Sequence, residues 1–291
     1  MPFVFATFNA YWLFDNQAPL QRWGLRLPAG GIDEKIDIVA DAIMRIGPDG
    51  GSGPDILALQ EVEGLVTLEP LLKKLNQLGS PLKYIYCSET LDPFTGQNVA
   101  VLSATPASIA PVTRLDQTAM PYIDARENER MGSLGKFLRV DIEVDETVLS
   151  VFNIHLKSRI GGVEETRKLR NIQAQIVRQL SRPRVEQGSM RRPAFTAIAG
   201  DMNDSPKSKL LDILNGKLDT SYNLISATEQ LPVSEQFTHT HDGEPAQLDH
   251  ILLSRFTHDR MLAAGFTRVP DEVSDHDAVW CQLDLTIAPP N

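Results

Sequence analysis

Apolar runs of strand length recur along the chain and are separated by turn-forming residues. The runs are FVFATFN, DILALQ, LKYIYCS, NVAVLS, ASIAPV, KFLRVDIEV, VLSVFNIHL, AFTAIAG, LDHILLS and AVWCQLDL. They are rich in Val, Ile, Phe and Tyr and are bounded by Gly, Pro, Asp or Ser, which is the pattern of β-strands. The longer stretches without such a pattern are 13–31, 114–134 and 226–246.

Three other segments repeat apolar residues every three or four positions, as amphipathic helices do. The apolar residues of these segments are Ile36, Val39, Ile43 and Ile46; Leu65, Leu68, Leu72 and Leu75; and Leu169, Ile172, Ile176 and Leu180. Helices are too few for a barrel in which strands and helices strictly alternate. Two packed sheets with helices outside suit the pattern better. Because no repeat, low-complexity tract or linker divides the chain, we expect a single domain over residues 1–291.

Composition narrows the class of protein only in part. The net charge of −10 argues against bulk electrostatic attraction to nucleic acid or to an anionic membrane. It does not exclude a phosphate substrate, because a bound divalent cation reverses the local field. No stretch is apolar for long enough to span a bilayer. The N-terminal MPFVFATFNAYW lacks the features of a signal peptide and is expected to be a strand, which leaves a cytoplasmic protein and a mature secreted form both open.

Polar side chains occur where several of the apolar runs end. They are Asn9, Gln60, Glu61, Asn153, His155, Lys157, Asp201, Asn203, Asp249, Asp275 and His276. A single polar residue at a strand end is most often a turn or cap residue. So many of them predict one concave site, provided that the strands share a sheet edge.

The residue types at these strand ends fit one kind of chemistry. Carboxylate and amide oxygens, without cysteine or His-rich spacing, suit a hard cation such as Mg²⁺ or Mn²⁺. Histidines without a serine nucleophile motif indicate activation of water. The combination predicts displacement at phosphorus, in which positioning and charge stabilisation do most of the work.

The set N…QE…NxHLKS…GDMND…LDHIL…SDH resembles the motifs of the endonuclease/exonuclease/phosphatase superfamily, the metal-dependent enzymes similar to DNase I. The resemblance extends from TFNAYWLFD to SDHDAVW, and FNAYWLFD and NIHLKS look most like the bacterial branch of nucleases and related phosphodiesterases. It implies a four-layer α/β sandwich in which two mixed sheets pack face to face and are flanked by helices.

The resemblance also implies the catalytic residues. His276 in SDHDAV would be the general base on the attacking water, and Asp249 in LDHIL would orient it. His155 in NIHLKS would stabilise the phosphoryl charge or protonate the leaving oxygen. Asp201 and Asn203 in GDMND would contact the phosphoryl oxygens and the metal or nucleophile.

Metal and substrate residues follow from the same resemblance. Glu61 is expected to bind the metal, with Asn9 beside it and Asp275 as a second carboxylate. The residues expected to contact substrate are Asn98, Lys136 and Lys157. Lys136 stands where relatives often have Arg, and lysine cannot form a bidentate fork on phosphate.

The sequence thus predicts a Mg²⁺- or Mn²⁺-dependent phosphodiesterase, with DNA or RNA as the first choice of substrate. A phosphatase or phosphodiesterase acting on small or lipid-headgroup phosphoesters is the alternative. A catalytically inactive binding module on the same scaffold is the alternative from another class, since fold does not imply function. No obligate protein partner is implied.

Four further features favour structural interpretations. His239 and His241 form either a transition-metal pair or the polar face of a hairpin, and without further ligands at suitable spacing the hairpin is favoured. The Arg-rich segment 182–193 is predicted to be a solvated loop. Arg170 is predicted to lie on a solvated helix face, although it is close enough in sequence to the site strand to reach inward. Asp277 is expected to be a local turn or hydrogen-bonding residue.

Overall fold

A computed structural model gives the structure of this chain and describes residues 1–286 except 49, 91, 93, 116–117, 188–194, 217–221 and 242. The strands are β1 Phe3–Leu13, β2 Ile56–Val62, β3 Tyr84–Cys87, β4 Asn98–Ser103, β5 Ala119–Ile123, β6 Glu129–Ser133, β7 Phe137–Val144, β8 Thr147–His155, β9 Phe195–Asp201, β10 Leu224–Ser226, β11 His239–His241, β12 Glu244–Ala246, β13 Asp249–Ser254, β14 Met261–Thr267 and β15 Ala278–Leu283. The helices are α1 Gln17–Arg22, α2 Gly31–Ile43, α3 Leu65–Gln77, α4 Val163–Gln187, α5 Lys209–Asn215 and α6 Arg255–His258, with a 3-10 turn at Val233–Glu235.

Most of the strands form two mixed sheets. The larger sheet has six strands in the order β14-β15-β1-β2-β4-β3, and the smaller has five in the order β10-β13-β9-β8-β7. The pairs β1–β2 and β8–β9 are parallel, whereas β15 pairs with β1 and β13 with β9 in antiparallel fashion. The hairpins β5–β6 and β11–β12 are separate two-stranded sheets.

Three apolar layers hold the sheets and helices together. Phe5 and Val140 belong to the buried layer between the two sheets. Val39 of α2 and Leu68 of α3 pack on the outer face of the larger sheet. Ile176 of α4 packs on the outer face of the smaller one. Full burial of each such side chain stabilises the fold by about 1.5–3 kcal/mol relative to exposure. The order helix, sheet, sheet, helix confirms the predicted four-layer α/β sandwich.

Two sequence-based assignments are wrong in the described residues. The run ASIAPV forms no strand; only Ala107 and Val112 make isolated bridges, to β7. Pro111 within this run has no N–H for a ladder and breaks it. The segment 182–193 is not a loop at its start, because α4 continues to Gln187; residues 188–193 lie outside the described residues.

Strands that lack a clear apolar run were also not predicted. The stretches 114–134 and 226–246 contain the hairpins β5–β6 and β11–β12, and β14 at 261–267 forms an edge of the larger sheet. Within the described part of the chain, no helix is both long and apolar enough to cross a membrane.

Candidate active site

The polar residues at the strand ends meet at one edge of both sheets. Because β1–β2 and β8–β9 are parallel pairs, Asn9 lies beside Gln60 and His155 beside Asp201. Asp249, at the start of the antiparallel β13, lies opposite Asp201. The Nδ2 atom of Asn9 donates to Asp201 Oδ2 at 3.2 Å and so joins the two sheets at this edge.

A second polar contact joins the sheets just below the site. Gln60 Nε2 donates to Asn153 Oδ1 at 2.7 Å, and Asn153 Nδ2 donates to the carbonyl oxygens of Leu59 and Ala100. Both side chains are fully buried. Unpaired polar groups at this depth would cost about 1–3 kcal/mol each. The pair therefore fixes how the sheets face each other, and Asn153 has a structural role beneath the candidate catalytic residues.

Glu61 and Asn203 both have left-handed backbone conformations, with φ values of 60° and 53°. Such conformations are uncommon for residues other than glycine and concentrate at functional sites. At Glu61 the register of β2 against β4 shifts, which marks a β-bulge. A bulge re-aims the side chain that it carries. Glu61 consequently turns toward the site, where its Oε2 accepts from the backbone N–H of Trp12 at 3.2 Å.

The histidine and carboxylate of the predicted general base are in direct contact. His276 Nδ1 donates to Asp249 Oδ2 at 2.7 Å, and both residues are buried. This bond leaves Nε2 as the reactive nitrogen of the imidazole. Burial opposes the imidazolium form, but the attraction and hydrogen bond of Asp249 outweigh it and raise the pKa of His276 to about 10. Ser274 Oγ accepts from the His276 N–H and donates to the Asn9 carbonyl, which anchors the loop to β1.

His155 faces the same space from the other side. Its Nε2 lies 3.5 Å from Asp201 Oδ2 and 4.0 Å from Glu61 Oε1. Burial, together with the nearby cations, lowers the pKa of His155 well below its ordinary value, so the imidazole is neutral at pH 7. Burial raises the pKa of Glu61, and burial with repulsion from Asp249 raises that of Asp201. The site therefore concentrates carboxylates that lack enough protein cations to neutralise them.

Asp275 lies at the open side of this group. Its side chain is 46% exposed, and its Oδ1 is 4.0 Å from His276 Nε2. Burial opposes ionisation, but His239 and His276 more than offset this effect and lower the pKa of Asp275. A carboxylate that stays ionised and accessible in this way is suited to hold a cation.

The donor set fits a divalent metal. Glu61 and Asp275 interact electrostatically and offer hard oxygen donors, which suit Mg²⁺ or Mn²⁺. The Oδ1 of Asn9 accepts from the Tyr11 N–H at 3.0 Å, so a metal contact by Asn9 remains a prediction. Among the described residues, buried Asp249 Oδ1 and His155 Nδ1 have no hydrogen-bond partner. Buried polar atoms are normally paired, so these two are available for water or substrate.

The three residues expected to contact substrate lie in different surroundings. Lys136 is directed at the site, where Glu61 and Asp201 attract it, and Nζ donates to Gln97 Oε1 at 2.6 Å. Lys157 lies beyond the end of β8 rather than on its face, and its Nζ contacts Ser158 Oγ at 3.1 Å. Substrate contact by either remains a prediction.

Asn98 is held by backbone and side-chain contacts at the start of β4. Its Nδ2 donates to the Glu63 carbonyl at 2.9 Å, and its Oδ1 accepts from Ser88 Oγ and the Thr90 N–H. These bonds connect three segments beside the site. Substrate contact by Asn98 also remains a prediction.

Three residues near the site were not assigned to it from sequence. Lys35 of α2 is buried, and its Nζ donates to the Val273 carbonyl at 2.6 Å. Arg170 is completely buried rather than solvated; its guanidinium donates to Thr166 Oγ1 at 2.6 Å. His239 packs beside His276, with ring centroids 4.9 Å apart and planes inclined by 49°. Of these three residues, only Arg170 has a contact that the sequence indicates, because it is four residues after Thr166 and side chains at that spacing meet on a helix.

The fold and the site together define a phosphoric ester hydrolase that uses a divalent metal. A sequence model of the Endonuclease/Exonuclease/phosphatase family matches residues 6–276, and the chain belongs to this family. The predicted family is thereby confirmed.

Solved structures support the same fold. The chain is similar to the endonuclease/exonuclease/phosphatase from Bacteroides vulgatus, with a TM-score of 0.63, 15% identity and coverage of 98% of this chain and 100% of that one. It is also similar to truncated Caenorhabditis elegans TDP2, with a TM-score of 0.59, 16% identity and coverage of 97% and 98%.

Curated sequences give a weaker similarity. The chain is 24% identical to the tRNA modification GTPase MnmE of Pseudomonas fluorescens over 251 residues, which are 82% of this chain and 52% of the relative. It thus spans about half the length of the curated relatives it matches. The sequence contains no GxxxxGK[S/T] phosphate-binding loop.

Proposed function

We propose that this chain is a Mg²⁺- or Mn²⁺-dependent phosphodiesterase that hydrolyses DNA or RNA by direct attack of water. The observation that carries the proposal is the 2.7 Å contact between His276 Nδ1 and Asp249, beside the buried carboxylates Glu61 and Asp201. An imidazole oriented by a carboxylate activates water without a protein nucleophile. The adjacent oxygen donors serve the phosphoryl group and its counter-ion.

The residues of this chain have separate tasks in the proposed reaction. In the neutral form that a bound cation would favour by lowering the raised pKa of His276, Nε2 takes a proton from the attacking water, while Asp249 holds the tautomer and stabilises the imidazolium. Neutral His155 donates a hydrogen bond to the phosphoryl group or to the leaving oxygen. Asn203, whose backbone N–H donates to Asp201 Oδ1 at 2.8 Å, orients toward the phosphoryl oxygens together with Asp201.

Glu61, Asn9 and Asp275 would hold the metal ion. When bound, a divalent cation polarises the phosphoryl group and offsets negative charge that develops during the displacement. Lys136 adds a fixed positive charge within the electrostatic reach of Glu61.

Two local features support a nucleic acid substrate. Lys136, Lys157 and Arg159 put positive charge around a site in an otherwise acidic chain, and Arg159 Nε donates to the Asn203 carbonyl at 2.9 Å. Aromatic rings also extend away from Glu61: Trp12 lies 6.1 Å from Trp23, which lies 5.4 Å from Phe94. Phe94 is 63% exposed, and exposed rings stack on nucleobases.

A lipid-headgroup phosphodiester is the second candidate substrate. The hairpin β5–β6 exposes Ile123 and Met131 to 48% and 64%. Apolar side chains on an exposed hairpin suit contact with a lipid surface. The apolar stretch YWLF at 11–14 offers no such surface at Leu13 and Phe14, which are buried.

The first test compares hydrolysis of bis(4-nitrophenyl) phosphate and 4-nitrophenyl phosphate with Mg²⁺, Mn²⁺ or EDTA. We expect a metal-dependent preference for the diester. Asp249→Asn should lower kcat by roughly 100-fold or more, because it removes the carboxylate that orients the general base. Glu61→Gln should lower the metal-dependent rate at least as much, because it removes a carboxylate that would hold the metal. Glu63→Gln, the same change two residues from Glu61, is the matched control and should stay active.

The second test supplies single- and double-stranded DNA, RNA and phosphatidylcholine vesicles to the same proteins. Cleavage of nucleic acid that falls steeply with added salt supports the nuclease proposal. Preferential hydrolysis of the vesicle lipid would favour the second candidate, and a preference for the monoester would indicate a phosphatase. Full activity of folded Glu61→Gln and Asp249→Asn would refute the proposed mechanism.

A further inference from the structure

His239 extends the site beside Asp275 and His276. It begins the short strand β11, and it forms an isolated antiparallel bridge with His276. This bridge lays the imidazole of His239 against that of His276, with ring centroids 4.9 Å apart and planes inclined by 49°. A hairpin distant in sequence thus adds a second nitrogen donor next to the proposed general base.

Three potential ligand atoms converge here. His239 Nε2 is 3.7 Å from Asp275 Oδ2, and His276 Nε2 is 4.0 Å from Asp275 Oδ1. One ligand atom from each of the three residues lies within 4.8 Å of the others. Tetrahedral coordination with bonds of about 2.0–2.2 Å requires ligand atoms roughly 3.3–3.5 Å apart. The Asp275 side chain is 46% exposed and that of His239 is 19% exposed, so rotation of both toward His276 can close this difference.

We propose that His239, Asp275 and His276 form a second cation site, selective for a transition metal such as Zn²⁺ or Co²⁺. Two imidazoles and one carboxylate match the ligands of zinc sites that keep a fourth position open. Imidazole nitrogens bind these ions better than they bind Mg²⁺, which prefers oxygen ligands. This nitrogen-rich site shares Asp275 with the oxygen donors around Glu61 and takes its two nitrogen ligands from His239 and His276.

The contacts of His276 support this assignment. Because Nδ1 donates to Asp249 Oδ2 at 2.7 Å, Nε2 is the ring nitrogen left to bind an ion, and the ion must displace the proton that the raised pKa of His276 keeps there. Metal-ligating histidines commonly donate their other ring N–H to a carboxylate in this way. His241 is not part of the cluster; its ring is exposed and lies 6.3 Å from that of His239. The ligand pair is therefore His239 with His276, and not His239 with His241.

The second site has a consequence for catalysis, which rests on the proposed function of His276 as a general base. An ion held at His276 Nε2 occupies the lone pair that would accept the proton from water. Zn²⁺ is therefore expected to inhibit hydrolysis that Mg²⁺ or Mn²⁺ supports, and removal of His239 should weaken this inhibition.

Binding is tested first, independently of activity. Glu61→Gln, made as the full chain without a polyhistidine tag, is titrated with Zn²⁺ by calorimetry and with Co²⁺ by visible absorbance. We expect one ion per chain. Adding His239→Phe or His239→Gln should weaken binding at least tenfold, whereas His241→Phe should leave it unchanged; thermal melts establish that each variant folds. Equal binding by the His239 and His241 variants would overturn the proposal.

Inhibition is tested second, with Glu61 intact. Zn²⁺ is titrated against Mn²⁺-supported hydrolysis of bis(4-nitrophenyl) phosphate by wild type, His239→Phe and His241→Phe. The concentration for half inhibition should rise at least tenfold only in His239→Phe. Stoichiometric binding that depends on His239 but does not inhibit would uphold the second site and refute His276 as the base. Absence of binding in the first test would refute the second site alone.

Discussion

Lys35 is buried beneath the loop that carries Asp275 and His276, and this burial predicts how the free energy of unfolding depends on pH. Its side chain is 6% exposed, and its Nζ donates to the Val273 carbonyl at 2.6 Å and lies 5.5 Å from the centre of the Tyr11 ring. Burial disfavours the ammonium form more than Asp275 and Glu61 favour it, so the pKa of Lys35 falls from its ordinary 10.5 to about 8.

This pKa makes the free energy of unfolding depend on pH. Between pH 8 and 10.5 the unfolded chain keeps the Lys35 proton while the folded protein releases it, so stability rises with pH through this window. Below pH 8 both states hold the proton, and the full cost of the buried ammonium is present. From these two pKa values, the contribution of Lys35 to the free energy of unfolding should become more stabilising by about 2.5 kcal/mol between pH 7 and pH 10.

The measurement compares wild type with Lys35→Met, in which an apolar chain of similar length replaces the amine. Urea denaturation in EDTA at pH 7, 8, 9 and 10 gives the difference in unfolding free energy, and the other titrating groups cancel between the two proteins. The unfolding free energy of wild type, relative to that of Lys35→Met, should increase as pH rises. A difference that stays constant would show that Lys35 remains protonated throughout. A difference that changes in the opposite direction would refute the dominance of burial over the neighbouring carboxylates.

Two further predictions concern residues whose roles differ from a first interpretation of the sequence. Asn98→Ala should lower the free energy of unfolding by about 1–3 kcal/mol, because it leaves bonded partners unsatisfied; urea denaturation measures this, and KM for the diester separately tests the predicted substrate contact. Arg170→Ala should cost about 1–3 kcal/mol, because it removes a partner from the Thr166 hydroxyl and from the carboxylate of Asp204, which lies 3.4 Å from Arg170 Nε and keeps Arg159 Nη2 at 3.5 Å. The control Arg167→Ala, at a position 47% exposed on the same helix, should change stability by less than about 0.5 kcal/mol. Equal losses in the two arginine variants would contradict the structural role of Arg170.

The sequence predicted the location of the site because local periodicity carries that information. The runs before Asn9, Glu61, His155 and Asp201 are apolar enough to be recognised as strands, and polar residues directly after them must lie at a sheet edge. Parallel pairing then brings those ends together. The two-sheet architecture was predictable from the number of strands and helices for the same reason.

Contacts between distant segments could not be predicted in this way. His239 lies on a strand of three residues, too short to have a recognisable period, and only the bridge to His276 brings it to the site. Arg170 was predicted to be a solvated helix position because charged residues usually are, and the same rule gives no reason to assign Lys35 to the site. Their burial depends on carbonyl, hydroxyl and carboxylate partners that are supplied by other segments or by the preceding helical turn.

The site can be recognised because it contains residues whose backbone conformation or burial destabilises the folded chain. Glu61 and Asn203 have strained backbones, and Glu61 and Asp201 are carboxylates whose burial opposes ionisation. A protein selected for stability alone would replace such groups, since natural sequences are otherwise locally consistent. A divalent cation changes this balance, because it supplies the charge that Lys136 alone does not. The arrangement is unfavourable in the isolated chain and favourable when a cation and a phosphate are bound, which is the property that a metal-dependent phosphoesterase requires.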